Sequence, residues 1–211
     1  MYKIQEQQPV VGDGSARSAI LESAEQLFAE QGFNAVSISE IALAARASKA
    51  NVFHHFGSKQ NLYMAVLKLA TDRAGGEVGR QVVAGQGGVV ERLSLFMANY
   101  LQVLISYPRT SRLVMRELME KGERDGAILA RELFTKNFVR IVGLIREGQC
   151  SGVLRKDLDA ELLTVLMVGI HVFFFHTRSV IRHLPGVEFA ADAEGFSHDA
   201  LDLLLRGALT Q

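Results

Sequence analysis

Apolar side chains recur with the period of an α-helix along nearly the whole chain. Within residues 15–31, for example, Ile20, Ala24, Leu27 and Phe28 fall at i, i+4, i+7 and i+8, which is one face of a helix. Neither the alternation typical of half-buried strands nor an internal repeat stands out. The sequence therefore predicts an all-α fold.

The first part of the chain predicts four short helices, each with its own start or stop signal. Gly32 and Gly57 stand where a glycine ends a helix. Ser37 and Glu40 form an S-x-x-E capping box, which starts one. The predicted helices cover residues 15–31, 37–45 and 49–56, and a fourth is capped by Ser58 and carries Leu62, Val66 and Leu69.

Longer apolar helices are predicted in the second part of the chain. Six glycines between residues 75 and 88 indicate the frayed end of the fourth helix and a loop. Pro108 and Pro185 mark breaks further on. The predicted long helices cover about residues 89–106, 111–121, 123–148, 158–184 and 195–209.

The second and third short helices, joined by a turn of about three residues, describe a helix-turn-helix unit over about residues 37–56. Such a unit needs a small residue where its two helices approach each other, and Ala42 stands there. The apolar residues expected to fix the crossing are Ile38, Ile41, Val52 and Phe56.

Local charge is more informative than total charge. The chain has 23 basic and 23 acidic residues, so its net charge of zero names no partner. However, residues 41–71 contain no Asp or Glu and four cations, Arg46, Lys49, Lys59 and Lys68. Four cations alone are usually an ordinary solvated surface. Beside a helix-turn-helix they favour contact with DNA phosphates.

A set of matching residues and spacings runs over about residues 15–69. They are Ile20-Leu21, Leu27-Phe28, Gly32-Phe33, Ser37-Ile38, Glu40-Ile41-Ala42, Val52-Phe53-His54-His55-Phe56, Ser58-Lys59 and Leu62. In these the sequence resembles the TetR family of one-component transcriptional repressors. Beyond them the resemblance rests only on helix number, length and apolar character. It implies a DNA-binding helix-turn-helix domain (15–60) and an α-helical ligand-binding and dimerisation bundle (61–211), while the lack of periodicity in residues 1–14 predicts a flexible arm.

The resemblance also implies a DNA-binding surface. Ser37 and Lys59 take the places of phosphate contacts at the starts of the second and fourth helices, and Ser37 is at the same time an ordinary N-cap. Asn51 is the best candidate for a base contact, because an amide can pair bidentately with adenine; a solvated surface amide is the alternative. The candidate DNA-binding residues are Ser37, Arg46, Ser48, Lys49, Ala50, Asn51, His54, His55 and Lys59.

Two residues depart from the family pattern. Arg46 stands in the turn where the family usually has glycine, and a left-handed backbone there would cost a non-glycine residue about 1–2 kcal/mol. Phe53 replaces a common tyrosine in the recognition helix, so that tyrosine's phosphate hydrogen bond is absent.

Aromatic side chains on successive C-terminal helices suggest a binding role. Such sets are more often plain core, but TetR-like bundles hold a small-molecule pocket and lose DNA affinity when it fills. The candidate ligand-binding residues are Phe96, Tyr100, Phe138, His171 and Phe174. Tyr100 and His171 would orient an uncharged or amphipathic organic ligand, although His171 is equally well explained as a hydrogen-bonded core or interface histidine. Constitutive DNA binding without a ligand and activation in place of repression stay open.

Other classes of protein find little support. No phosphate-binding loop, nucleophile elbow or H-E-x-x-H motif occurs, and there is one cysteine, Cys150. We therefore expect no enzyme, cofactor or metal site. The polar first 14 residues and the short apolar stretch at residues 162–175 predict a cytoplasmic protein that does not bind membranes. The apolar helices at residues 158–184 and 195–209 predict a homodimer.

Overall fold

The computed structural model describes residues 13–75 and 87–206, and every regular element in these two ranges is helical. The predicted all-α fold, a helix-turn-helix followed by a helical bundle, is confirmed. The α-helices are α1 (Asp13–Gln31), α2 (Ile38–Ala44), α3 (Lys49–Phe56), α4 (Lys59–Gly75), α5 (Val89–Ser106), α6 (Pro108–Leu129), α7 (Thr135–Cys150), α8 (Ala160–Ile181) and α9 (Ala193–Arg206). A π-helical turn covers Ala130–Phe134 and a 3-10 turn covers Phe189–Ala191.

The chain forms two compact units whose boundary falls between Val66 and Leu67, inside α4. The sequence-based boundary at residue 60 stays a prediction. Of the predicted arm, residues 13 and 14 belong to α1, and residues 1–12 lie outside the described residues. Most of the glycine-rich loop, residues 76–86, also lies outside them.

The first unit is built on one apolar face of α1. Ile20, Ala24 and Phe28 are fully buried there. The ring of Phe28 packs edge-on against Tyr63 of α4, with 5.1 Å between ring centroids, and Phe33 stacks on Phe28 at 5.9 Å. Because these rings join α1 to the start of α4, they form a support for the two short helices between them. Of the predicted crossing residues, Ile41, Val52 and Phe56 are buried, as is the small residue Ala42, whereas Ile38 is half-buried.

The turn between α2 and α3 has a left-handed residue at its centre. Arg46 has φ +51°. Its N–H donates to the carbonyl of Leu43 (3.1 Å), and the N–H of Ala47 donates to the carbonyl of Ala42 (2.8 Å). This pair of bonds is the Schellman motif, which satisfies the last carbonyls of α2. The expected left-handed position is confirmed, and it is occupied by arginine rather than glycine.

The second unit has two apolar cores along α5 and α8. One combines α5, α7, α8 and α9 around Phe96, Ile145 and Met167. The other places Leu104 of α5 against Phe174 and Phe175 of α8. A helix that contributes to both cores must be apolar on more than one side, as the sequence of α8 predicted.

The predicted break between residues 121 and 123 is wrong. Helix α6 runs unbroken through Gly122, because one glycine inside a helix costs only about 1 kcal/mol. The irregularity lies further on, at Ala130–Phe134, where the chain makes one π-helical turn. Pro108 does mark a boundary, since it is the first residue of α6, where proline has no hydrogen bond to lose. Helix α8 is shorter than predicted, beginning after its N-cap Asp159 and ending at Ile181.

The strained turn generates a stability prediction. We expect Arg46→Gly to raise the free energy of unfolding by about 1 kcal/mol, because glycine adopts positive φ without the Cβ clash. Urea unfolding measures the change. Arg46→Ala is the control, since it removes the guanidinium but keeps the Cβ. Equal effects of the two substitutions would contradict the assignment of strain to the backbone.

The capping box of α2 generates a second, pH-dependent prediction. The hydroxyl of Ser37 accepts from the N–H of Glu40 (3.2 Å), and the carboxylate of Glu40 accepts from the N–H of Ser37 (2.7 Å). Hydrogen bonding to Ser37 holds the pKa of Glu40 below its ordinary value. We expect Ser37→Ala to lower the free energy of unfolding by about 1 kcal/mol at pH 7.

That cost is expected to shrink in acid. A lowered pKa in the folded state stabilises the protein above the ordinary glutamate pKa, and this contribution disappears as the pH falls through the lowered value. Urea unfolding of the wild-type protein and of Ser37→Ala, at pH 7 and near pH 3, measures the difference in the free energy of unfolding at each pH. An unchanged difference would show that the carboxylate of Glu40 does not contribute to the cap.

Candidate nucleic-acid interface and cavity

The outward face of α3 is a candidate surface for nucleic acid. Lys49, Ala50, Phe53 and His54 are exposed and follow the i, i+1, i+4, i+5 spacing of one helical face. The opposite face is buried through Val52 and Phe56. The helix therefore presents a cation and a histidine to solvent while its other side is fixed in the core.

The nine sequence-predicted residues all lie in the first unit, on α3 or at the start or end of a neighbouring helix. The exposed ones are Ser37, Arg46, Ser48, Lys49, Ala50 and His54, and the half-buried ones are Asn51, His55 and Lys59. Ser48 also has a local structural role, because its hydroxyl accepts from the N–H of Asn51 (3.1 Å) and caps α3. Capping fixes the first turn of α3 and with it the position of Asn51.

Lys59, the first residue of α4, is held by an aromatic ring. Its ammonium nitrogen lies 4.4 Å from the ring centroid of Phe33, a cation–π contact that restricts the side chain without neutralising its charge. The ammonium is also close enough to contribute to the lowered pKa of Glu40, after the hydrogen bonds from Ser37. The charge of Lys59 is therefore fixed in place near the start of α2.

One further cation of the first unit was missed from the sequence. The guanidinium of Arg17, on α1, lies 5.1 Å from the ring centroid of Phe56 at the end of α3. Arg17 lies outside the acid-free stretch at residues 41–71, and no spacing rule connects a residue of α1 with the end of α3. This contact depends on tertiary packing.

The second unit contains a cavity of about 370 Å³. Its wall is formed by the last turns of α4, by α5, α6, α7 and α8, and by Phe134 of the π-helical turn. Phe96, Tyr100 and Phe138, three of the five sequence-predicted ligand residues, line it. Asp, Glu, Lys and Arg are absent from the described residues of its wall. Burial raises the pKa of the Tyr100 phenol to about 12.

The structure does not bring the other two predicted residues to this cavity. His171 is fully buried, where its Nδ1 donates to the carbonyl of Met167 (2.7 Å) and its Nε2 accepts from the hydroxyl of Ser197 (2.8 Å). This corresponds to the core histidine of the alternative interpretation. Phe174 stacks on Phe196 with 3.8 Å between ring centroids and lines a second, more open groove along α8.

His176 is one of the polar cavity residues that sequence reasoning missed. It continues a stripe on α8 that begins at Thr164 and passes through Val168 and Val172, a spacing of four residues. Burial, and then the nearby guanidinium of Arg112, lower the pKa of His176. The imidazole is therefore neutral at pH 7 in a largely apolar wall.

Two other observations bear on alternative classes of protein. Within residues 13–75 and 87–206, no group of three or more His, Cys, Asp or Glu side chains is placed to hold a metal ion. One helix in this part of the chain, α8, is long and apolar enough to cross a membrane by length and composition alone. Its buried residues include Leu163 and Met167 of the first core of the second unit, so α8 is explained as a core helix.

Comparison with known proteins assigns both units. Residues 20–66 match the family described as "Bacterial regulatory proteins, tetR family", and residues 90–201 match a "Tetracyclin repressor-like, C-terminal domain". The HTH-type transcriptional regulator YdeS of Bacillus subtilis is 32% identical over 162 residues, which are 74% of this chain and 76% of that protein. The HTH-type transcriptional repressor KstR2 of Mycolicibacterium smegmatis is 27% identical over 210 residues, 93% of this chain and 92% of that protein.

Solved structures agree on the fold. The fatty acid degradation regulator FadR of Bacillus halodurans superposes with a TM-score of 0.73 at 17% identity, covering 96% of this chain and 98% of that one. The ketosteroid transcriptional regulator KstR2 of Mycobacterium tuberculosis superposes with a TM-score of 0.64 at 20% identity, covering 97% of this chain and 98% of that one. Together with the matches of both units, this shows that the chain belongs to the TetR family of DNA-binding transcriptional regulators.

Proposed function

We propose that this regulator is a repressor that binds a palindromic operator as a homodimer and is released when a small organic molecule fills the cavity of the second unit. The observation that carries the proposal is the continuity of α4. The same helix begins with Lys59 and, three to four turns later, contributes Ala70, Thr71 and Ala74 to the cavity wall. The proposal includes a cytoplasmic location without binding to membranes.

In this proposal α3 lies in the major groove. Lys49, Asn51 and His54 face the base edges, and Ser37, Arg46 and Lys59 contact phosphates on either side. Ser48, Ala50 and His55 complete the surface around them. The exposed guanidinium of Arg46 adds a cation that a glycine in the turn would not supply.

The dimer is proposed to form through α8 and α9. Leu162, Val165, Leu166 and Phe173 form an exposed apolar stripe on α8, where Phe173 is 65% exposed. Leu203 on α9 is 72% exposed. Because contiguous exposed apolar surface is rare on a monomer, this surface favours pairing with a second copy about a two-fold axis.

The ligand proposal depends on the chemistry of the cavity. A wall without Asp, Glu, Lys or Arg, lined by Phe96, Tyr100 and Phe138, suits an apolar or amphipathic organic molecule. FadR and KstR2 are named as regulators of fatty acid degradation and of ketosteroids, which supports an apolar ligand. Phe174, in the second core, and His171, bonded to Met167 and Ser197, would act as support rather than as contacts.

The ligand would act by favouring a conformation of the dimer in which the two α3 helices are wrongly spaced for DNA. It can shift this equilibrium only by its differential affinity for the two states. A coupling of about 1–3 kcal/mol changes operator affinity by about 5- to 150-fold. The cavity favours this mechanism over constitutive binding.

The DNA-binding proposal predicts a specific operator. Selection from random DNA with the purified protein is expected to recover an inverted repeat whose half-sites lie about one helical turn (about 34–36 Å) apart. Lys59→Ala should weaken binding to every sequence, because it removes a phosphate contact. Asn51→Ala should relax the preference at one position in each half-site.

Lys156→Ala is the matched control, since Lys156 is an exposed lysine outside the helix-turn-helix. Recovery of no inverted repeat would contradict the proposal. So would equal losses from Lys59→Ala and Lys156→Ala.

The dimer proposal predicts a particle of twice the 23.2 kDa chain mass by light scattering at micromolar concentration. Phe173→Glu is expected to give monomers, because it places a charge in the centre of the exposed stripe. Val139→Glu is the control, as Val139 is an equally exposed residue (60%) on α7. A wild-type mass equal to one chain would overturn the proposal.

A further inference from the structure

The polar groups of the cavity wall divide into two sets. Four of them already donate to backbone carbonyls within the protein. Thr71 donates to Lys68 (3.0 Å) and Thr164 to Ala160 (2.8 Å) in their own helices. Ser111 donates to Leu104 (3.4 Å) and Asn137 to Thr71 (3.0 Å) in neighbouring ones. The other two, Tyr100 and His176, make no hydrogen bond to any described residue. Both side chains are half-buried and line the cavity, so their polar atoms are available to a ligand.

The shape of the cavity is set by α8. Its lining residues run from Thr164 to His176, a separation of twelve positions that spans about 18 Å along a helix. Phe96, Tyr100 and Leu104 form a parallel row on α5 at intervals of four residues. A cavity with walls this long, and a volume of about 370 Å³, suits an extended molecule rather than a compact one.

Charge excludes one class of extended molecule. Burying a carboxylate without a partner is costly, and the described wall offers no lysine or arginine. The charge that acts on the His176 imidazole is the guanidinium of Arg112. Arg112 is exposed and outside the wall, so solvent screens its attraction for an anion inside the cavity.

We infer that the ligand is an elongated, uncharged lipid-like molecule with an oxygen function, such as an alcohol or ketone, that hydrogen-bonds to the Tyr100 hydroxyl and the His176 imidazole. This inference rests on the proposed ligand-binding function of the cavity and specifies its chemistry. Tyr100 donates to the ligand oxygen, and His176 donates or accepts according to its tautomer. These two residues determine specificity, and the apolar wall supplies affinity.

The test uses diphenylhexatriene, a rod-shaped hydrocarbon that fluoresces in apolar surroundings and has no hydrogen-bonding group. Dodecanol and dodecanoate compete for its site on the full-length protein. Dodecanol is expected to displace the probe at a concentration at least about ten-fold lower than dodecanoate. Equal or tighter binding of dodecanoate would overturn the inference.

Variants then test the two polar groups. Tyr100→Phe and His176→Phe keep a ring at each position. Each is expected to lower the affinity for dodecanol by about 3- to 10-fold and to leave the affinity for the hydrocarbon probe unchanged. Tyr107→Phe is the control, because Tyr107 lies between α5 and α6 outside the wall. Unchanged dodecanol affinity in both cavity variants would overturn the inference.

The proposed function fails in a different way. If the probe does not bind and calorimetry with dodecanol gives no heat, the cavity takes no ligand of this kind and both proposals fall. If the probe binds and Val168→Phe, which fills part of the cavity, abolishes its binding, the site is occupied as proposed. The competition results then decide the ligand chemistry alone.

Discussion

One unbroken helix constrains everything that this molecule can do. Helix α4 starts beside the helix-turn-helix, where Lys59 rests on the ring of Phe33, and ends in the wall of the cavity at Ala70, Thr71 and Ala74. A helix is stiff over four to five turns because each turn is hydrogen-bonded to the next. In the proposed mechanism, a displacement of its last turns is carried along the helix to Lys59.

The two ends of α4 are fixed by different forces. At its start, Tyr63 is locked between the rings of Phe28 and Phe33, and such aromatic packing resists change because interiors are close-packed. At its end, the helix borders empty volume. Asn137 of α7 donates to the carbonyl of Thr71 there (3.0 Å), and Lys136 of α7 pairs with Asp72 (3.4 Å). The start of α4 is therefore held by packed rings, and its end by polar contacts beside an open space.

Local signals were enough to predict the helix-turn-helix. Ser37 with Glu40, Gly32 and Gly57 mark helix boundaries by side-chain and backbone chemistry that acts over three or four residues. The left-handed turn was expected from the glycine that the TetR family usually has there, although the residue in this chain is Arg46. The contact between Arg17 and Phe56 could not be predicted, because it joins residues far apart in the chain.

The cavity was only partly predictable for a reason specific to α8. This helix is apolar nearly all round, so no polar face indicates which side meets the core, the cavity or a partner. His171 and His176 are five residues apart, and the sequence alone does not distinguish the buried one from the one that lines the cavity. The π-helical turn that directs Phe134 inward has no established sequence signal. Gly122 did not end α6, because one glycine inside a helix costs only about 1 kcal/mol.

The most direct test of the account is the operator affinity of the wild-type protein with and without dodecanol, at a concentration where calorimetry shows one molecule bound per chain. The account predicts that bound dodecanol weakens operator binding by about 5- to 150-fold. It also predicts that Val168→Phe, whose cavity is partly filled, shows no such dependence on dodecanol. An unchanged operator affinity with the cavity demonstrably occupied would contradict the coupling through α4.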